Sequence, residues 1–93
     1  MTYEWDARKA ESNRRKHGVA FEEAASVFLD PLAETFQDPG SPINENREIT
    51  IGCTMMGRMV FVSHCERGAR IRIISARLVT RAEREEYEKG IDG

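Results

Sequence analysis

The chain lacks the features that mark membrane, secreted and disulfide-rich proteins. Its 93 residues include only two cysteines, three prolines and one tryptophan. No apolar run approaches the roughly 20 residues that a helix needs to span a bilayer. The N-terminus, Met-Thr-Tyr-Glu-Trp-Asp, has neither the basic start nor the apolar stretch of a signal peptide. These absences predict one cytoplasmic domain over residues 1–93 with no membrane contact, and an apolar content of 40% suits a folded core.

The two cysteines are too few and too far apart to form a disulfide or a zinc site. In a hairpin centred on Met56-Gly57, Cys53 faces about position 60 and Cys65 faces about position 48. An offset of about five residues, at about 3.4 Å each, exceeds the reach of a disulfide. Two thiols without clustered histidines also make a poor zinc site. We therefore expect two small buried thiols, no metal and no cofactor.

The net charge of −2 conceals an uneven distribution along the chain. The segment 7–17 has five Lys or Arg and one Glu, and the segment 57–81 has six Arg and one Glu. Between them, the segment 18–51 has seven carboxylates and a single Arg. A folded domain can bring the two basic blocks together into a face that attracts polyanions. The alternative is that these charges are only solvated surface groups.

Two helices are predicted in the N-terminal third. Asp6 is a good N-cap for a helix over residues 7–17, which Gly18 ends, and a short extended piece precedes it. A second helix begins near Phe21 and has an apolar stripe at i, i+3, i+4 and i+7. Pro31 ends it, because proline disfavours helical geometry in the preceding residue. The stripe predicts core packing, whereas the first helix has little apolar surface and is expected to lie loosely or to be covered by a partner.

The rest of the chain is dominated by predicted strands. A short strand over 33–37 is followed by an exposed loop over 38–46 that contains two prolines. Residues 48–54 and 58–65 have the patterns of two paired strands, and Arg67-Gly68 makes the turn into a third. Three consecutive strands with tight turns predict an antiparallel meander, so the fold class is α+β.

The stretch from 70 to 87 joins the third strand to a C-terminal helix. Alternating charged and branched apolar residues predict a strand over 70–77. Thr80 and Glu83 have the spacing of a capping box, which predicts a helix from Thr80 to about Lys89 that Gly90 ends. Five arginines lie between positions 70 and 84. Because the planar guanidinium group of arginine is suited to binding phosphate, this stretch is the best candidate for a functional surface.

Strand alternation assigns the side chains of the third strand to two faces. One set is Ile71, Ile73, Ser75 and Arg77, and the other is Arg70, Arg72, Ile74 and Ala76. If the isoleucines at 71 and 73 face the core, Arg77 escapes burial only because it lies at the end of the strand. A rigid strand end is a suitable place for a functional group.

The common catalytic motifs are absent, but a set of residues that can act on RNA remains. There is no Gly-rich phosphate loop, no His-Glu-x-x-His, no nucleophile elbow and no suitably spaced carboxylate pair. RNA can be cut without a metal, because its own 2′-hydroxyl can attack the adjacent phosphate. The protein then needs only to position the backbone, stabilise charge and move protons. Arginines suit the second task, and His17 or a lysine suits the third.

Several motifs, found in order from Tyr3 to Tyr87, resemble those of the BrnT toxins. They are Tyr3-Glu4-Trp5-Asp6, then Asn13 followed by Lys16-His17-Gly18-Val19-x-Phe21, then Val27-Phe28-x-Asp30-Pro31, Gly57-Arg58, Ile73-Ile74-Ser75-Ala76-Arg77 and Glu83-Arg84-x-x-Tyr87. The resemblance implies a RelE-like fold, in which two N-terminal helices and one C-terminal helix flank an antiparallel sheet. It also implies a type II toxin that acts as a ribonuclease and blocks translation. Its partner would be a BrnA-like ribbon-helix-helix antitoxin that binds DNA, and the complex of the two would repress its own operon.

The predicted site centres on one arginine of the third strand. Arg77 is expected to bind the scissile phosphate and to stabilise its transition-state charge, with help from Arg58. Lys16 and His17 are the candidates for proton transfer, and Glu48 is expected to orient one of them. The alternative for the whole protein is a non-catalytic binding module that keeps the toxin fold and works in a repressor complex.

Further residues are predicted to bind RNA or to support the fold. Tyr87 either contacts a base or phosphate of the RNA or simply anchors the last helix. Arg77 could instead form a structural bridge to Glu48 or Glu83, and His64, within an apolar strand, is expected to be structural. The other arginines expected to contact RNA are Arg14, Arg15, Arg47, Arg72 and Arg81.

Overall fold

A five-stranded mixed sheet forms the centre of the fold. The structure, a computed structural model, describes residues 2–42 and 45–92. The strands are β1 (Thr2–Glu4), β2 (Glu34–Gln37), β3 (Arg47–Cys53), β4 (Met59–Arg67) and β5 (Arg70–Leu78). Their spatial order is β1-β5-β4-β3-β2, and every neighbouring pair is antiparallel except β1 and β5, which are parallel. The α+β class and the meander are confirmed, but the sheet is not wholly antiparallel, because a three-residue strand pairs with the distant β5.

Three helices accompany the sheet. They are α1 (Ala7–His17), α2 (Phe21–Ala25) and α3 (Arg81–Asp92), and a 3₁₀ turn (Ser26–Leu29) follows α2. The ends of α1 are as predicted, since the Asp6 carboxylate accepts two backbone N–H groups of the first turn and Gly18 has a left-handed φ of 68°. The α-helical part of α2 is short and passes into the 3₁₀ turn at Ser26, whose hydroxyl donates to the Glu23 carbonyl at 2.6 Å. In the part of the chain that the structure describes, no helix has the length and apolar character needed to cross a membrane.

The capping box at the start of α3 is present, but the predicted end of this helix is wrong. The Thr80 hydroxyl accepts the Glu83 N–H at 3.1 Å, and the Glu83 carboxylate accepts the Thr80 N–H at 2.8 Å. The helix continues through Gly90 to Asp92. A glycine inside a helix costs about 1 kcal/mol relative to alanine, which does not suffice to end the helix.

The apolar core lies between the sheet and the N-terminal helices. Its buried members are Val19, Phe21, Ala24, Val27, Val60, Val62, Ile73 and Ala76. The apolar stripe of the second predicted helix packs as expected, with Phe21 and Ala24 buried and Ala25 and Phe28 partly buried against them. We call the side of the sheet that carries Val60 and Val62 the inner face, and the side that carries Phe61, between them, the outer face.

A β-bulge in β5 changes which of its side chains share a face. Ile74 has no partner on β4, because the paired positions of β5 pass from Ile73 directly to Ser75. Ile73 and Ala76 consequently both pack in the core. The bulge also moves Arg77 to the outer face. The prediction that Arg77 shares a face with the core-facing isoleucines is therefore wrong.

A buried asparagine fixes α1 to the edge of β5. The Asn13 amide donates to the Ala76 carbonyl at 2.8 Å and accepts the Ala76 N–H at 3.0 Å, and it also donates to the Val19 carbonyl at 3.0 Å. Because β1 pairs only with residues 70–72, the edge of β5 beyond them lacks a strand neighbour, and the amide takes that place. The expectation that α1 lies loosely is wrong, because these bonds and the packing of Ala10 against the core hold the helix. Cover by a partner, the other expectation for this helix, stays a prediction.

The two cysteines lie far apart in the sheet. Cys53 pairs with Met59 and Cys65 with Arg47, an offset of six residues along β4, which is one residue from the predicted register. Cys65 is buried as expected. The prediction that Cys53 is buried is wrong, because this residue ends β3 at the margin of the sheet and is exposed.

Candidate functional site

A shallow depression of about 210 Å³ opens where α1 meets β5. It is lined by Lys9, Ser12, Asn13, Lys16, His17, Ile74 and Ser75. Lys9, Lys16 and His17 follow one another at i, i+7 and i+8, which places them on one face of α1. In the part of the chain that the structure describes, neither lysine is in an ion pair. The fold therefore brings the two predicted proton-transfer residues next to β5.

Arg77 lies on the outer face of β5 and is held by three groups. Its Nη1 and Nη2 atoms each donate to a Glu83 carboxylate oxygen at 2.7 Å, and Nη1 also donates to the Leu78 carbonyl at 3.3 Å. The guanidinium carbon lies 4.2 Å from the centroid of the Phe61 ring. Of the two structural bridges considered for Arg77 from the sequence, the one to Glu83 is thus present and the one to Glu48 is not. About a third of the Arg77 side chain remains exposed.

The ion pair shifts the pKa values of both partners. The hydrogen bonds from Arg77 are the largest cause that lowers the Glu83 pKa to about 2, and the Thr80 N–H adds to this effect. The carboxylate in turn raises the Arg77 pKa. Both groups are therefore fully charged at neutral pH.

Ser75 connects the depression to Arg77. Its side chain lines the depression, and the residue is exposed two positions before Arg77 on β5. Residues two apart on a strand share a face and lie about 7 Å apart. We call the resulting surface, formed by Lys9, Lys16, His17, Ser75 and Arg77, the α1–β5 strip.

Arg58 is not beside Arg77. Its Nε and Nη2 atoms donate to the Glu23 carboxylate at 2.9 and 2.5 Å, and Nη2 also donates to the Gly18 carbonyl at 2.9 Å. Glu23 is only 4% exposed and also accepts the Thr54 hydroxyl at 2.7 Å, and these bonds, led by those from Arg58, lower its pKa. This arrangement ties the tip of the β3–β4 hairpin to the start of α2 on the inner side of the sheet. The expected support of Arg77 by Arg58 is not seen, because its charge is committed to Glu23.

Glu48 is also distant from the residues that it was expected to orient. It lies in β3 opposite His64 of β4, so two strand spacings separate it from β5. Two spacings amount to about 10 Å, and α1 lies beyond β5. A contact between Glu48 and either Lys16 or His17 is therefore absent.

Tyr87 anchors α3. Its side chain is 8% exposed, and its hydroxyl donates to the Leu32 carbonyl. Burial is the main cause that raises the Tyr87 pKa, and the charges of Asp30 and Glu34 add to it. A ring buried in this way cannot stack on a base, so the geometry fits the anchoring alternative.

The remaining predicted arginines are in ion pairs at scattered places. The pairs are Arg14–Glu11 at 2.8 Å, Arg15–Glu11 at 3.2 Å, Arg47–Glu45 at 3.1 Å, Arg72–Glu4 at 3.0 Å and Arg81–Glu85 at 3.4 Å. Only the first two arginines lie on α1, near the α1–β5 strip. Because solvent screens ion pairs at the surface, such pairs are weak and a phosphate can replace the carboxylate. The two basic blocks thus meet only where α1 contacts β5, not as one continuous face.

Sequence reasoning missed Lys9, Ser12 and Ser75 as parts of the site. The seven-residue spacing of Lys9 and Lys16 was an available signal, because it places both on one face of a helix. Ser75 gave no such signal, since its exposure depends on the bulge. Across residues 2–42 and 45–92, no three His, Cys, Asp or Glu side chains come together as a possible metal site.

The sequence model of the family described as "Ribonuclease toxin, BrnT, of type II toxin-antitoxin system" matches residues 5–83. The chain belongs to the BrnT family. The matched range includes α1, β5 and the whole α1–β5 strip, and membership of a type II toxin–antitoxin family implies an antitoxin partner. The resemblance read from the sequence motifs is confirmed.

A solved BrnT structure shows the same fold. The crystal structure of the Brucella abortus ribonuclease toxin BrnT has a TM-score of 0.70 to this chain at 24% sequence identity. The match covers 87% of this chain and 100% of that chain. At this identity the likeness concerns the fold, and it confirms the predicted α+β architecture. No curated protein sequence matches this BrnT chain.

Proposed function

We propose that this BrnT chain is a metal-independent endoribonuclease whose cleavage of RNA blocks translation. Membership of a family of ribonuclease toxins supports the reaction class. The observation that carries the proposal is the α1–β5 strip, in which two lysines outside the ion pairs of the described residues and a histidine line a depression together with Ser75, two positions before a partly exposed arginine on β5. Positive charge and a proton-transfer group on one surface are what RNA self-cleavage requires from a protein.

In the proposed reaction, the RNA 2′-hydroxyl attacks the adjacent phosphate and each side chain has a limited task. Arg77 binds the scissile phosphate and stabilises the charge that develops on it. Lys9 and Lys16 bind the neighbouring RNA backbone. His17 is the candidate for proton transfer, because histidine is the side chain that most often acts as general acid or base, and Lys16 is the second candidate.

The proposed partner is a BrnA-like ribbon-helix-helix antitoxin. The complex would repress its own operon, so that DNA is bound only through the antitoxin, and both proteins would work in the cytoplasm. The observation behind this part is the family description, which names a type II toxin–antitoxin system. A small ribbon-helix-helix protein encoded beside this chain is the expected genetic setting.

The ion pair of Arg77 favours a second candidate function. A guanidinium bound to Glu83 and Phe61 can serve the fold alone. The chain would then be a non-catalytic module that acts within a repressor complex. The two functions differ in whether Arg77 is needed for a measurable cleavage.

The deciding experiment compares RNA cleavage by four purified proteins in the presence of a chelator. They are the wild type, Arg77→Ala, His17→Ala and, as a matched control, Arg84→Ala, which removes an arginine from another exposed ion pair at 3.2 Å. We expect cleavage by the wild type and the control, and a loss of about 10²- to 10³-fold for Arg77→Ala, because a charge-stabilising donor is removed. A loss of at least about 10²-fold for His17→Ala would assign it proton transfer.

The same assay with translating ribosomes completes the test. Cleavage only in their presence would make ribosome-bound mRNA the substrate and keep the enzymatic function. If the folded wild type cuts RNA in neither assay, the enzymatic proposal fails and the binding module remains. Circular dichroism of every variant checks that lost activity is not lost folding.

A further inference from the structure

The Glu83 carboxylate is fixed from two sides. On one side it belongs to the capping box of α3, where Oε1 accepts the Thr80 N–H at 2.8 Å and the Glu83 N–H is bound by the Thr80 hydroxyl at 3.1 Å. On the other side both of its oxygens accept from Arg77 at 2.7 Å. The capping box holds Glu83 at the rigid start of a helix. Whatever Glu83 binds is therefore held in one orientation as well.

This contact uses one edge of the Arg77 guanidinium and leaves another edge available. A guanidinium has five N–H donors. Nη1 donates to Glu83 and to the Leu78 carbonyl, and Nη2 donates once to Glu83. The Nε–H and the second N–H of Nη2 remain, and these two donors point from the same edge of the plane. Such an edge can bind two oxygens of a phosphate side by side.

The Phe61 ring completes the support. It lies 4.2 Å below the guanidinium carbon and is paired with Arg77 across β4 and β5. The ring blocks one face of the guanidinium plane, and Glu83 fixes rotation within that plane. Together they leave the Nε–Nη2 edge as the part that a phosphate can approach.

We propose that Glu83 is the positioning residue of the nuclease site, which fixes Arg77 so that its Nε–Nη2 edge faces the scissile phosphate. The inference rests on the proposed function, because it takes Arg77 as the phosphate-binding group. It goes beyond that function by assigning to the start of α3 a task in catalysis. Because a carboxylate close to the phosphate also repels it, Glu83 orients Arg77 but weakens the binding of RNA.

Substitution of glutamine for Glu83 separates orientation from affinity. Glutamine also fits the second position of a capping box, so Glu83→Gln keeps the helix start while it removes the charged partner of Arg77. With orientation lost, we expect the single-turnover cleavage rate to fall about 10- to 100-fold. Because a negative charge is also removed, RNA should bind as tightly as to the wild type or more tightly.

The measurement uses an RNA oligonucleotide that the wild type cuts and a version of it with 2′-deoxy sugars, which lacks the attacking hydroxyl. Cleavage rates come from the first oligonucleotide and dissociation constants from the second. The matched control is Glu88→Gln, which breaks the Arg84–Glu88 pair on the same helix and should change neither quantity. Glu83→Asp, which keeps the charge but shortens its reach, provides a second variant if Glu83→Gln does not fold, and it should lose rate with the dissociation constant unchanged.

A double substitution distinguishes positioning from a merely structural role. In the Arg77→Ala background, Glu83→Gln should cause no further loss of rate, because there is no guanidinium left to orient. The inference would be overturned if the rate losses of Arg77→Ala and Glu83→Gln multiply in the double variant. It would also be overturned if Glu83→Gln alone cuts at an unchanged rate, or cuts faster and binds RNA more tightly. If instead Arg77→Ala itself cuts RNA like the wild type, the phosphate assignment of the proposed function has failed, which is a separate result.

Discussion

His64 is a buried histidine whose surroundings keep it neutral. Only 3% of its surface is exposed, its Nε2 atom is 2.7 Å from the Thr50 hydroxyl, and its ring meets the edge of Phe28 at a centroid distance of 4.9 Å. No hydrogen-bond partner for Nδ1 exists among the described residues. Burial lowers the His64 pKa to about 4 from its ordinary 6.5. These contacts fit the predicted structural role.

The lowered pKa of His64 predicts a loss of stability in mild acid. Between about pH 6.5 and about pH 4 the unfolded chain binds a proton on His64 that the folded chain does not. The contribution of His64 to the free energy of unfolding should therefore be fully present above about pH 6.5. Below that pH the free energy of unfolding should fall by about 1.4 kcal/mol per pH unit, by roughly 3 kcal/mol in total. Urea unfolding at several pH values in this range measures the slope.

A His64→Gln variant is the control for this slope, because glutamine keeps polar atoms but does not titrate. The contribution of Glu83, whose pKa falls from an ordinary 4.5 to about 2 in the folded chain, begins to be lost only below about pH 4.5, so the slope between about pH 6.5 and about pH 5 is free of it. Equal slopes for the wild type and His64→Gln would contradict the assignment to His64.

At the scale of elements, the bond between α1 and β5 depends on one side chain. Asn13→Ala would leave the N–H and C=O of Ala76 without partners in a buried place. Each such group costs about 1–3 kcal/mol, so we expect the free energy of unfolding to fall by about 2–6 kcal/mol. Ser12→Ala, next to it on the exposed side of α1, should change stability by less than about 0.5 kcal/mol. A loss below about 1 kcal/mol in Asn13→Ala would show that apolar contacts hold α1.

The elements that could be predicted from sequence are those set by near neighbours. The caps of α1 at Asp6 and Gly18 and the turns of the meander are fixed by residues a few positions apart, and they are where the pattern placed them. The bulge at Ile74 is different, because the assignment of side chains to two faces assumed a regular strand over residues 70–77. With the bulge, both Ile73 and Ala76 lie in the core, which regular alternation would not allow because they are three positions apart. The parallel pairing of β1 likewise depends on a strand at the other end of the chain.

The residues of the candidate site also divide into those that local sequence motifs indicate and those whose contacts depend on distant parts of the chain. Lys16, His17 and Arg77 were selected by their motifs and their roles stay predictions, and the structure places Lys16 and His17 against β5, the strand that carries Arg77. The ion pair of Arg58, and which of the two alternatives holds for Tyr87, could not be predicted, because the hydrogen-bond partners of both residues lie far away in sequence. Arg58 binds a carboxylate 35 positions distant, and Tyr87 a carbonyl 55 positions distant. No local pattern shows which charges are already paired in the fold.

At the scale of the whole molecule, the charge that RNA meets is not the net charge. The formal charge is −2, yet the α1–β5 strip has two lysines outside the ion pairs of the described residues and one arginine with an available edge. If RNA binds through these three cations, its affinity must fall with salt as their phosphate contacts release counterions. For single strands the logarithm of affinity changes with the logarithm of salt by about −0.7 for each phosphate contact. The expected slope is therefore about −2.

This slope can be measured with the uncleavable 2′-deoxy oligonucleotide between about 50 mM and about 200 mM salt, where binding should weaken roughly twentyfold. Lys9→Gln and Lys16→Gln should each make the slope shallower by about 0.7, because each removes one phosphate contact. Arg84→Gln, which alters an arginine of α3 away from the strip, should leave it unchanged. If Arg84→Gln has the same effect as Lys16→Gln, RNA responds to the total charge of the molecule, and the α1–β5 strip is not where it binds.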